Sequence, residues 1–149
     1  MRKKVLCVFV SLILLFNCFP VALAVGPEGV ENTQSSQYLS SYTVALIALS
    51  NGKMAVEMDV NATGYMTQVG VQELYIEQKI NGVWQEFDTV YGAAHSDFFE
   101  YNDYTYLGEY FFYGVNGRQY RVTMTAFARN SSGSDTGDVM SVTATCHNP

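Results

Sequence analysis

The chain has 149 residues, 48% of them apolar and 15% charged, with 14 acidic against 8 basic side chains and a formal charge of −6. That balance excludes a nucleic-acid binder, which needs a basic footprint for the phosphates. Three cysteines, two of them within the first 18 residues, are too few for a disulfide-stapled scaffold.

The first predicted element is an export signal. Arg2, Lys3 and Lys4 precede an apolar run from Val5 to Phe16, and Ala22-Leu23-Ala24 closes it with small residues. This three-part pattern predicts a signal peptide over 1–24, cut after Ala24, and a secreted, extracellular product. The run falls short of the roughly 20 apolar residues of a membrane span, so no integral span is expected after signal removal. Bulky Phe16 and Asn17 before Cys18 disfavour a lipid anchor there. Cleavage takes away Arg2, Lys3, Lys4, Cys7 and Cys18. The 125 residues that remain hold five basic and fourteen acidic side chains, a formal charge of −9, with Cys146 as the only thiol. A surface of that sign also disfavours anionic lipids and anionic wall polymers. Cys146 reads as a free thiol on a last strand, with an intermolecular disulfide as the alternative.

Val25 to Gln37 is polar, carries two glycines and a proline and has no periodicity, which predicts a flexible lead-in over 25–40 before a single domain at 41–149. Strands follow. Thr43 to Leu49 is β-branched and apolar. In the next run Val56, Met58, Val60 and Ala62 fall on one face, with Glu57, Asp59 and Asn61 on the other. A third run places Leu74, Ile76 and Ile80 inward and Glu73, Tyr75, Glu77 and Lys79 outward, and Val83 to Tyr91 resumes after a turn. Such period-two alternation marks half-buried strands. Asn-Gly, the strongest short hairpin signal, occurs at Asn51, Asn81 and Asn116. No window has the caps and spacing of a helix. The expected fold is an all-β sandwich of about seven antiparallel strands.

After the third Asn-Gly comes "RQYRVTMTAFARNSSG". Tyr120, Val122, Met124, Ala126 and Ala128 line one face, while Arg121, Thr123, Thr125 and Arg129 line the other, with Phe127 the exception. A tyrosine at the head of such a strand resembles the tyrosine corner of immunoglobulin-like sandwiches. Val115, Asn116-Gly117, Tyr120-x-Val122-x-Met124-x-Ala126 and Asn130-x-x-Gly133 together resemble fibronectin type III domains in particular. The stretch from Val69 to Val90, with Tyr75 in its first strand and Trp84 after the turn, is similar to two adjacent strands of that family. The resemblance implies structural roles for Tyr120 and Trp84, and makes Asn116-Gly117 a corner between sheets. The pattern departs from the family in lacking a tryptophan in the second strand and in a longer, more aromatic stretch from Gly92 to Tyr106. The layout also resembles small exported proteins of Gram-positive bacteria grouped as a domain of unknown function, which implies an address and no activity.

Chemistry has little to work with. The histidines are His95 and His147, and His147 follows Cys146 directly, so on a strand they point to opposite faces. No metal spacing and no cofactor motif occurs, and catalysis is not expected. Asn61-Ala62-Thr63 and Asn130-Ser131-Ser132 match the glycosylation sequon, which acts only in a eukaryotic secretory route. One segment is unusual: Asp97, Phe98, Phe99, Glu100, Tyr101, Asp103 and Tyr104 mix carboxylates with rings that can stack on sugars, while the acids take hydroxyls or calcium. Alternatively the aromatics fill the core and the acids keep a loop soluble. Two functions follow as expectations. One is a non-catalytic binding or interaction module for an extracellular glycan or protein; the other is a structural or self-assembling subunit that pairs through open sheet edges or Cys146.

Overall fold

The computed structural model of the protein describes residues 30–32 and 36–147; the expected signal peptide lies outside the described residues. One sheet has the order β1 (Val30–Asn32), β2 (Leu39–Ala48), β3 (Lys53–Met66) and β7 (Asp103–Tyr113). The second has β10 (Ala144–Thr145), β8 (Gln119–Asn130), β4 (Gln68–Ile80) and β5 (Val83–Tyr91). In that sheet β6 (Phe99–Glu100) also pairs with β4, and β9 (Gly133–Met140) with β8. Each of these pairings is antiparallel. The result is an all-β sandwich, and its only helical pieces among the described residues are two 3₁₀ turns.

The alternation sets which faces meet. Val56, Met58 and Val60 of β3 are buried against Leu74 and Ile76 of β4 and against Tyr120, Val122, Met124, Ala126 and Ala128 of β8 within one hydrophobic core. Ile80 is the last residue of its strand, paired with Val83 beside the hairpin turn, and is only half-buried. Each fully buried valine or isoleucine contributes about 1.5–3 kcal/mol, so this seam is the main source of stability. The segment read as an irregular lead-in differs from expectation. Val30–Asn32 form β1, pairing with Val44 to Tyr42, and β2 opens at Leu39. Ser36 and the Tyr38 N–H fasten this start to Asp135 of β9, at 2.5 and 2.9 Å.

Asn51-Gly52 and Asn81-Gly82 make hairpins with positive φ at both residues (59° and 74°, 51° and 83°), the geometry that only Asn and Gly tolerate cheaply. Asn116-Gly117 instead carries the chain from β7 in one sheet to β8 in the other. There the Tyr120 hydroxyl accepts a hydrogen bond from the Val115 N–H at 2.8 Å. The C-terminal segment ties two of these turns together. The N–H of Gly117 donates to the carbonyl of Cys146, and that of Gly52 to the carbonyl of His147, both at 2.9 Å. Cys146 is buried beneath them, with Sγ 3.5 Å from the Gly52 carbonyl oxygen. A disulfide to another chain through Cys146 therefore requires this end to open first.

Candidate functional site

At the opposite end from these turns a strap runs beside β4. The chain leaves β5 at Tyr91 and makes 3₁₀ turns at Gly92–Ala94 and Ser96–Phe98. It then returns to the same edge of β4, where Phe99 and Glu100 pair with Gly70 and Val69. Glycine is required at two places. A Cβ on Gly92 would strike the Val71 carbonyl oxygen, and Gly70, at φ 153°, leaves the space in which the Phe98 carbonyl sits. Phe98 anchors the strap: it is fully buried, with the His95 ring stacked on it at 4.9 Å and Tyr110 edge-on at 5.9 Å.

The strap sorts the seven residues singled out from the sequence. Phe98 belongs to the core, so its ring is closed to a ligand. Asp97 is an exposed carboxylate 4.0 Å from His95, and Glu100 is exposed as well. Asp103 is occupied locally, its Oδ1 accepting from the N–H groups of Tyr104 and Thr105 at 2.7 and 3.3 Å. Tyr104 faces away from the strap, edge-on to Tyr65 at 5.5 Å. Phe99 and Tyr101 remain, and they meet residues from the two central strands.

Phe99, Phe127, Tyr91, Ala93, Gln68 and Gln72 line a shallow cavity of about 300 Å³ on the outer face of the second sheet. Phe99 and Phe127 meet edge-on at 6.0 Å. At the rim the Gln68 amide is oriented from both sides: Arg129 donates to its Oε1 at 2.9 Å, and its Nε2 donates to the Tyr101 hydroxyl at 3.5 Å. Gln72 reaches the cavity because it is the extra residue of a bulge, skipped between Val71 and Glu73 in the pairing with β8. Beyond Phe99 and Tyr101, the sequence offered one more pointer to this place. Phe127 breaks the polar pattern of the outer face of β8, whereas Gln72 and Tyr91 gave none, because the bulge and the strap decide where they point.

Further along the same face Arg121 is committed to structure. It makes two hydrogen bonds to Glu77, at 2.6 and 3.0 Å, and its guanidinium lies over Trp84 at 4.4 Å. The Glu77 hydrogen bond raises the guanidinium above its ordinary value. Trp84, half-buried, thus clasps β5 to β8 across β4.

A larger trough of about 490 Å³ runs over the outer face of the first sheet, between Thr43, Glu57, Asp59, Leu107 and Glu109. Its carboxylates do not converge: among the described residues no three His, Cys, Asp or Glu side chains are placed to share a metal ion. Nor is any described helix long and apolar enough to cross a membrane. Comparison with protein-family models and with curated proteins finds no match to this chain.

Proposed function

We propose that the protein is a secreted, non-catalytic binding module whose ligand is an uncharged extracellular glycan, taken at the cavity between Phe99, Phe127 and Tyr91. The observation that carries this reading is the Gln68 amide, held by Arg129 and Tyr101 at the rim of an aromatic-lined hollow. A sugar ring presents apolar C–H faces to aromatic side chains and hydroxyls to fixed amides and guanidinium groups. An uncharged glycan is favoured over a polyanion by the acidic balance of the chain. The order of the long strands, β2-β3-β7 facing β8-β4-β5, supports kinship with fibronectin type III domains, as does the hydrogen bond between Val115 and Tyr120. That fold hosts many functions, so the argument rests on the site. The leader-like residues 1–24 support export.

The test is titration calorimetry of the purified protein with neutral gluco- and manno-oligosaccharides and with cell-wall fragments. Tyr91 is 58% exposed, so Tyr91→Ala leaves the fold intact. It should weaken sugar binding about tenfold, the loss of one stacked ring. Asp97→Ala, off the cavity, should leave affinity unchanged. Binding that ignores Tyr91→Ala, or no binding to any neutral sugar, rejects the reading.

A further inference from the structure

Natural sheet edges are blunted so that they do not pair with other chains. Three edges here follow that rule. β1 covers β2 at Tyr42 to Val44. β5 carries Glu86 and Asp88 and a bulge in its pairing with β4. β9 carries Asp135 and Asp138, and its edge is interrupted before β10. β7 is left open. It is eleven residues long, pairs with β3 without a break from Thr105 to Tyr113, and over that length has one charge, Glu109, and no proline or lysine. Its outward side chains include Leu107 and Tyr113, 72% and 70% exposed, and the exposed Phe111. Asp103 satisfies the N–H groups of Tyr104 and Thr105. Beyond them, among the described residues, no loop backbone bonds to the strand before its end.

We infer that β7 pairs antiparallel with β7 of a second copy, about a two-fold axis at Tyr110, so that the two first sheets become one. This goes beyond the glycan reading and does not depend on it. The register follows from the side chains. With the axis at Tyr110, Leu107 of one copy lies opposite Tyr113 of the other, covering the two most exposed apolar groups of the strand, and Glu109 lies opposite Phe111. Lys53 sits over that Phe111 ring at 3.7 Å and so meets the Glu109 carboxylate of the other copy. Within its own copy Glu109 lies opposite Glu57, a like charge, so the second copy supplies a counter-ion. An axis at Glu109 would set that carboxylate against itself. An axis at Gly108 would set it against Leu107 and Tyr113 against the capping Asp103. The same seven residues serve both sides of the pairing, which favours a second copy over a foreign strand.

The experiment is sedimentation velocity of the purified protein over a concentration series, with charge exchange. Glu109→Lys and Lys53→Glu, each alone, should raise the dimer dissociation constant at least tenfold, and the double exchange should restore it. Glu109→Lys also relieves the contact with Glu57, so loss of the dimer is not loss of the fold. Leu107→Cys together with Tyr113→Cys should give a covalent dimer on non-reducing electrophoresis, and Leu107→Cys alone should not, which also controls for Cys146. A monomer at every concentration overturns the inference, as does a dimer indifferent to both charge exchanges or a double-cysteine variant that stays uncrosslinked.

Discussion

The phenol of Tyr106 lies against Gly108, two residues further along β7, where a Cβ would collide with its oxygen. Tyr106 is buried, and its hydroxyl is the only buried side-chain oxygen or nitrogen among the described residues without a hydrogen-bond partner. An unmade buried hydrogen bond costs about 1–3 kcal/mol. Tyr106→Phe keeps the ring and deletes the orphaned group, and should raise stability by about 1 kcal/mol, seen as a higher urea midpoint with an unchanged slope. Gly108→Ala forces the ring to move and should lower stability by about 1–3 kcal/mol.

The same hydroxyl gives a dependence on alkaline pH. Burial first, then the nearby charges of Asp97 and Glu100, push the Tyr106 phenol up from 10.0 to about 12. The folded chain therefore holds this proton more tightly than the unfolded chain. Its stabilising contribution is complete below the unfolded value of 10.0 and is lost as pH rises through about 12. Urea midpoints of the native protein should fall between about pH 10 and about pH 12 more steeply than those of Tyr106→Phe. The variant keeps the smaller contributions of Tyr42 and Tyr110, both also raised by burial, so its curve should slope rather than lie flat.

The strands with a regular pattern were legible because each has one wet face and one dry one: β3, β4 and β8 show period two, and Asn51 and Asn81 announce their turns. β9 was not, since "GSDTGDVM" buries only Val139. Two of its inner positions are glycines because tyrosines lie over them: a Cβ on Gly137 would strike the hydroxyl of Tyr42 in β2, and one on Gly133 the phenol of Tyr38, just before β2. A strand completed by side chains from another strand leaves no signal in its own residues. β7 misleads in the opposite way. Tyr106 and Phe112 are core while Leu107 and Tyr113 face solvent, and both faces read as apolar. Of the cavity, Phe99 and Tyr101 could be picked out as aromatics, but Gln68 and Tyr91 join them only through the strap.

The tether between the start of β2 and β9 should be sensitive to acid. The Ser36 hydroxyl first, then the Tyr38 N–H, hold the Asp135 carboxyl below its ordinary 3.8. A lowered folded value contributes stability that is present above 3.8 and is lost as pH falls through the folded value. Asp135→Asn should remove that part of the acid dependence. In hydrogen exchange at neutral pH, the Tyr38 amide should exchange faster in this variant than in the native protein, while amides of β4 stay protected. Equal exchange at Tyr38 would show that the tether does not hold this end.

The strap offers a way to separate holding the site from making it. Phe98 is fully buried, and its ring fills the core and supports His95 and Tyr110. Phe98→Ala would leave a cavity worth about 3–5 kcal/mol, enough to confuse a loose strap with an unfolding domain. Phe98→Leu is the better probe, since it keeps most of the apolar volume and should cost less than about 1.5 kcal/mol. It removes the ring on which His95 stacks, so amides of 92–98 should exchange faster while those of β8 do not. If the strap positions Tyr91 and Phe99, sugar affinity should fall together with that local protection in a protein whose melting is nearly native. Faster exchange with undiminished affinity would place the binding determinants on β4 and β8 alone, with Gln68, Phe127 and Arg129 sufficient.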